Sequence, residues 1–194
     1  MVKAIEIKEL LERVEKNPDI TAVDSLLKKV DILSVKGLQG SSHSLLATSL
    51  FRKSPQTYLY ILNDAESAGY FYHDVTQIIG SQDVLFFPSA YKRAAKYGQL
   101  DAANEVLRTA VLSRLQENAA PLIIVSYPDA LIEKTVSSEH LKEHTLTVSV
   151  GEQIDSSFVS EVLDNYGFKY VDYVYEPGQY AQRGSILDLF SYSS

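Results

Sequence analysis

The chain of 194 residues contains no cysteine. That excludes disulfides, thiol nucleophiles and Cys-ligated zinc or iron–sulfur centres. It has no apolar run near the roughly 18 residues that a membrane-spanning helix needs. The opening Met1-Val2-Lys3-Ala4-Ile5-Glu6 alternates charge with apolar side chains and lacks the apolar centre of a signal peptide. The expected compartment is therefore the cytoplasm, with no membrane partner. There is no internal repeat and no low-complexity stretch. The serines sit in no Gly-x-Ser-x-Gly elbow, so a hydrolase triad has no support. Positive charge is scarce towards the end. Residues 121–194 hold only Lys134, Lys142, Lys169 and Arg183 as cations, and they carry the whole acidic excess behind the net charge of −7. An acidic surface repels phosphate backbones, so this part suits a protein partner better than nucleic acid.

What is present is ordinary for a globular protein: 45% apolar and 22% charged residues. Apolar spacing predicts a helix over 5–15 with Ile7, Leu10, Leu11 and Val14 on one face, ended by Asn17-Pro18-Asp19. A second short helix is expected over 22–29 and a first strand over 30–35. Further along, the pattern predicts helices over 45–52, 63–79 and 101–116, and strands over 57–62, 84–87 and 122–126. Pro128 opens a short helix. On the long helix, Ala103, Val106, Leu107, Ala110, Val111 and Leu115 form the expected inner face. Strands alternating with helices in units of this size imply an α/β fold with a doubly wound parallel sheet. After about His144 the texture becomes α+β. Residues 146–150 alternate, 156–166 read as a helix, and 170–175 and 185–190 read as strands joined through Glu176-Pro177-Gly178. The expected organisation is an N-terminal helical segment (1–21), a nucleotide-binding-type domain (22–143) and a small α+β domain (144–194). The last ends directly after a strand, so it is expected to be cut short.

Gly37-Leu38-Gln39-Gly40-Ser41-Ser42-His43-Ser44 has the outline of a phosphate-binding loop, G-x-x-x-x-G-K-[ST], placed between an expected strand and a helix. Gly37 and Ser44 fall where the first glycine and the hydroxyl belong. Ser42 replaces the second glycine, and His43 replaces the lysine that reaches the β- and γ-phosphates. A mostly neutral imidazole is a poor substitute at pH 7. A turn that keeps the shape without the chemistry is the favoured account, and weak phosphate binding at the helix N-terminus remains open. No cofactor and no catalytic residue is expected. Asp64, after the strand over 57–62, is placed like a magnesium carboxylate but equally well as a helix cap, and the cap is preferred. His140 and His144 share a helix face at metal-like spacing, yet no HExxH surrounds them, so a solvated pair is preferred and no metal site is expected. Tyr91-Lys92-Arg93-Ala94-Ala95-Lys96-Tyr97 interleaves cations with aromatics, and Lys92, Arg93 and Lys96 are candidate DNA contacts.

The most specific stretch is Gly167-Phe168-Lys169-Tyr170-Val171-Asp172-Tyr173-Val174-Tyr175-Glu176-Pro177-Gly178-Gln179-Tyr180-Ala181-Gln182-Arg183-Gly184-Ser185-Ile186-Leu187-Asp188-Leu189-Phe190. Together with Gly37-Leu38-Gln39-Gly40-Ser41, it resembles the N-terminal region of bacterial transcription-repair coupling factors (Mfd), over about residues 27–190. That region is itself similar to the first domains of the excision-repair helicase subunit UvrB. The missing loop lysine, and the short stretch between Ser89 and Leu100 where UvrB carries a long tyrosine-rich hairpin, favour the coupling factors. The resemblance implies a UvrB-like fold with a degenerate P-loop and no enzymatic activity in this part, within a parent that is an ATP-dependent DNA translocase contacting RNA polymerase and DNA. It further implies recruitment of the damage-recognition protein UvrA by the second domain. Carried over by motif, Arg183 is the first candidate for that contact, then Lys169, with Tyr180 and Phe190 behind them.

Overall fold

A computed structural model describes residues 7–91, 100–117 and 120–192. In chain order its elements are α1 (Ile7–Glu15), α2 (Pro18–Leu27), α3 (Ser42–Lys53), β1 (Tyr58–Ile61), α4 (Ala65–Ile79), β2 (Val84–Phe86), α5 (Ala102–Glu117), β3 (Ile123–Ser126), α6 (Pro128–Leu131), α7 (Ser138–Glu143), α8 (Ser156–Asn165), β4 (Lys169–Tyr170), β5 (Gln179–Arg183) and β6 (Ile186–Phe190). They pack into two units. One is drawn from Met1–Phe87 and Asn118–Leu131, the other from Pro88–Glu117 and Ile132–Ser194.

The first unit is α/β, built on a parallel sheet of order β1-β3-β2. Tyr58 pairs with Ile123 and Ile61 with Ser126, while Val84 and Phe86 pair with Ile123 and Val125 from the other side. Every residue of β3 is buried. A continuous apolar run is what a central parallel strand requires when neither face meets water. Local chemistry sets the helix ends. Pro18 occupies the first helical position of α2, with Asn17 Oδ1 accepting the Asp19 amide at 2.8 Å. Asp64 Oδ1 accepts the Ser67 amide at 2.7 Å, so Asp64 is the N-cap of α4, as the sequence suggested. The two N-terminal helices are tied down by polar bonds: Arg52 to Glu15 at 2.8 Å, Lys53 to Thr21 at 2.9 Å and Ser54 to Asp24 at 2.7 Å.

One expected element of this unit is missing. Residues 30–39 form no strand, and Val30, Ile32 and Val35 are exposed. Among the described residues β1 pairs only with β3, so the run finds no ladder to satisfy its amides and carbonyls. Asp31 and Ser34 interrupt its apolar character as well. The loop at 37–44 therefore does not follow a strand, which removes half of the context that a phosphate loop needs.

The second unit has a sheet of order β4-β5-β6 in which β4 runs parallel to β5 and β5 antiparallel to β6. Gly184, at φ +62°, makes the tight turn between β5 and β6, in a region that residues with a Cβ enter at a cost. The core is Val159 and Leu163 of α8 against Tyr180, with Phe168 and Leu187 packed around them. Asp155 caps α8 by accepting the Ser157 amide at 2.7 Å.

Here the structure corrects four expectations. The strand expected over 170–175 is only Lys169–Tyr170, and Tyr173 and Tyr175 lie exposed in the loop that follows. The hairpin is β5–β6 and not one turning at Glu176–Gly178, because Gln179–Arg183 is the segment whose alternate side chains reach α8. Residues 146–150 form no strand, and Val148 and Val150 are exposed. On α5, Val111 is buried as expected, but Leu107 and Leu115 are exposed and Arg108 is buried at 7% exposure. Pattern alone never ranks an arginine as core. The guanidinium is taken inside because it donates to the Pro88 carbonyl at 2.8 Å and pairs with Glu133 at 3.2 Å.

Candidate functional site

The register of the second sheet sorts its side chains. Lys169 lies opposite Gln179, and Gln179 opposite Phe190. Ala181 faces Asp188 and Arg183 faces Ile186. Paired residues share a face and alternate residues return to it. Lys169, Phe190, Asp188, Ile186 and Arg183 therefore occupy one face. Tyr170, Tyr180, Gln182 and Leu187 occupy the other, which packs on α8. Three of the four predicted partner residues are thus brought to one surface, with Lys169 and Arg183 about 13 Å apart along the strand direction.

Tyr180 is the exception. It is 3% exposed, and its hydroxyl donates to Asp164 Oδ1 at 2.7 Å. Its ring meets Tyr170 edge-on at 5.4 Å. The hydrogen bond to Asp164, together with burial, pushes the phenol up to about 12. Tyr180 holds the sheet on α8 and does not present its ring to a partner.

Arg183 is exposed and held. Its guanidinium is hydrogen-bonded and ion-paired to Asp188 on the neighbouring strand, the diagonal partner on the same face. That bond raises the arginine above its ordinary value. The guanidinium carbon also lies 5.4 Å from the Tyr173 ring centroid, a cation–π distance. Gln179 Oε1 accepts the Tyr175 and Glu176 amides at 2.9 and 3.1 Å, which ties the 171–178 loop beside this face. Arg183, Asp188, Tyr173, Tyr175, Leu187 and Phe190 are among the residues lining an open depression of about 570 Å³. Asp188, Tyr173 and Gln179 were not singled out from sequence. Alternation along β6 would have flagged Asp188 once the β5–β6 register was known.

The loop at 37–44 is turned inward on itself. Gly37 and Gly40 have φ +90° and +53°. The Ser42 hydroxyl accepts the Gln39 amide at 2.7 Å, while the Ser42 amide donates to the Gln39 carbonyl at 3.1 Å. His43 Nδ1 donates to the Gly40 carbonyl at 3.1 Å. Ser44 is buried and its hydroxyl donates to Asp74 on α4 at 3.3 Å. Behind the loop, Leu38, His43, Leu46, Leu50, Tyr60 and Phe71 help enclose an apolar cavity of about 210 Å³. The Tyr60 hydroxyl is buried without a hydrogen-bond partner, and burial pushes its pKa up. None of this resembles a cradle for a polyanion. Lys92, Arg93 and Lys96 lie outside the described residues, between Tyr91 and Leu100, which form an antiparallel bridge.

No protein-family model matches the chain. Compared with individual proteins, it is 24% identical over 159 residues, 81% of its length, to the transcription-repair-coupling factor of Bacillus subtilis (strain 168). It is 26% identical over 156 residues, 80% of its length, to that of Staphylococcus aureus (strain bovine RF122 / ET3-1). To that of Escherichia coli (strain K12) it is 23% identical over 159 residues, 81% of its length. The chain is homologous to transcription-repair-coupling factors. It spans only 13–14% of the length of these relatives. The motif that first suggested the coupling factors, Gln179 to Phe190, is the β5–β6 hairpin itself, and it carries the exposed Arg183. Among the described residues, no helix is long and apolar enough to cross a membrane.

Proposed function

We propose that this chain is a non-catalytic recruiting part of a transcription-repair-coupling factor, and that its second unit docks the excision-repair protein UvrA through the outer face of β4-β5-β6. The observation that carries this is Arg183. It is an exposed cation on an otherwise acidic part of the chain, oriented by Asp188 and Tyr173, with Ile186 and Phe190 exposed on the same face. Arginine beside aromatic and aliphatic side chains is the usual make-up of an interface hot spot. The guanidinium keeps donors beyond those used by Asp188 and meets a partner carboxylate in a planar fork. Lys169 adds a second cation on the same face and steers the encounter.

The proposal includes no nucleotide turnover. The Gly37–Ser44 loop lacks a lysine, and Ser42, His43 and Ser44 each bond within the protein. The α/β sheet and the homology support a coupling-factor part, its first unit a UvrB-like domain with a degenerate P-loop. The deciding experiment is a calorimetric titration of the chain with purified UvrA, beside the Arg183→Glu variant. Charge reversal at a central arginine is expected to weaken binding by about 30-fold or more. If the folded variant binds as tightly as the parent chain, Arg183 is not the contact. If the parent chain itself does not bind, the recruiting role is wrong.

A further inference from the structure

His140, Glu143 and His144 each offer a ligand atom, and the three atoms lie within 4.8 Å of one another on the exposed surface of the second unit. Two donors bound at about 2.0–2.1 Å to one tetrahedral zinc ion lie about 3.4 Å apart. Closing the three on one ion therefore asks for movements on the order of 1 Å in exposed side chains. Spacing alone did not single out this set, because it showed two histidines without a third donor or a reason for the rings to be oriented.

The structure supplies both. His144 Nδ1 lies 2.9 Å from the His140 carbonyl oxygen. A carbonyl can only accept, so Nδ1 carries the proton and Nε2 keeps its lone pair for a metal. A carbonyl holding the second ring nitrogen is the usual outer support of a metal-bound histidine. The His144 ring is further packed against Tyr166, at 5.2 Å between centroids, and lies 4.0 Å from the His140 ring. Tyr166 in turn donates from its hydroxyl to the Glu143 carbonyl at 3.0 Å. The other end of α7 is anchored by Gln116 of α5, whose amide donates to the Ser138 carbonyl and, at 2.9 Å, to the Ser138 hydroxyl. The short helix is thus held at both ends, and the ligand set is pre-organised.

We infer that His140, Glu143 and His144 form a surface site for a divalent first-row transition metal ion, Zn²⁺ first among them, with a coordination position left open to water or to a donor from a partner. Two imidazoles and one carboxylate suit Zn²⁺ and its neighbours. Mg²⁺ and Ca²⁺, which take oxygen donors in larger number, find too few here. The site does not depend on the recruiting role of Arg183.

The test is a calorimetric titration of the chelator-stripped chain with ZnCl₂, paired with NMR spectra of the histidine ring nitrogens. One equivalent of Zn²⁺ is expected to bind and to shift the His140 and His144 signals, leaving His73 unmoved, and MgCl₂ is expected to give no saturable binding. His140→Ala and His144→Gln are each expected to weaken Zn²⁺ by about tenfold or more, and Glu143→Gln by less. Because the ring signals are read on the unaltered chain, a variant that fails to fold does not obscure the result. Absence of saturable Zn²⁺ binding, or binding that leaves the His140 and His144 signals in place, overturns the site.

Discussion

Arg108 and Arg183 each place a guanidinium against a carboxylate, Glu133 in the first case and Asp188 in the second. Arg108 is buried, and its partner also accepts from the Ser89 hydroxyl and, at 2.9 Å, from the Ala90 amide. Five groups, from α5, the 88–90 segment and Glu133, close one polar knot. Arg183 has the same chemistry in water, on a two-stranded turn, with one carboxylate and one ring beside it. A buried ion pair whose bonds are complete holds elements together, because breaking it strands a charge out of reach of water. An exposed pair contributes little to folding. Its value is to hold a cation in a defined direction for something else. The residue type is the same, and burial decides which task it performs.

This contrast is open to direct attack. Replacing Arg108 by Ala should cost about 3 kcal/mol of stability, because Glu133, largely shielded from water, would lose its cation and keep only its bonds to Ser89 and Ala90. Urea denaturation followed on the second unit measures it, and a cost below 1 kcal/mol would make Arg108 no different from a surface residue. Arg183→Glu should do the reverse. UvrA binding should fall by about 30-fold or more, while the denaturation midpoint stays close to that of the parent chain. Loss of stability without loss of binding would invert the comparison.

Tyr180 sharpens it on the inner face of the same sheet. Tyr180→Phe removes the bond to Asp164 and should cost about 1–2 kcal/mol, with UvrA binding little changed. The phenol is raised in the folded state to about 12, above an unfolded value of about 10. Its contribution is therefore complete below pH ~10 and is lost as pH rises from there through ~12. Stability measured across that window should fall for the parent chain and less for the Phe variant. The smallest effect concerns the loop. His43→Lys should leave ATP affinity unmeasurably changed by calorimetry, since Ser42 still closes on Gln39 and Ser44 on Asp74. A clear gain would mean that the missing lysine was the loop's only defect.

Much of the fold was legible because it rests on local chemistry. Asp64 and Pro128 mark helix starts by capping or by a fixed φ, decided within a few residues. Asn17-Pro18 reads in the sequence only as the end of α1, whereas it also opens α2, which runs Pro18–Leu27 and not over 22–29. The buried run Leu122–Val125 is apolar at every position, which fits only a central strand or a buried helix, and its length favours the strand. The misread segments are those whose fate depends on a distant partner. Residues 30–35 have strand-like composition but no edge to pair with. Gln179–Arg183 has the poorer composition, yet it lies between two partners and forms the central strand of its sheet.

The candidate surface divides in the same way. Sequence alone singled out Arg183 and Lys169, since cations are rare after residue 120 and both fall in the coupling-factor motif. It could not separate Phe190 from Tyr180, because facing is a property of register and register is set by pairing across the sheet. The sequence by itself determined the places of α1, α4 and α5, the central strand of the first sheet, the loss of the loop's cation and the kinship with coupling factors. Tertiary structure alone decided that Arg108 goes inside and Arg183 stays out, that Tyr180 is core, and that Glu143 joins the two histidines. For the two arginines and Tyr180 the reason is that burial and partnership are set by elements the fold brings together, whose positions no local pattern encodes. Glu143 is a sequence neighbour of both histidines, and there the fold decided only that the three side chains converge.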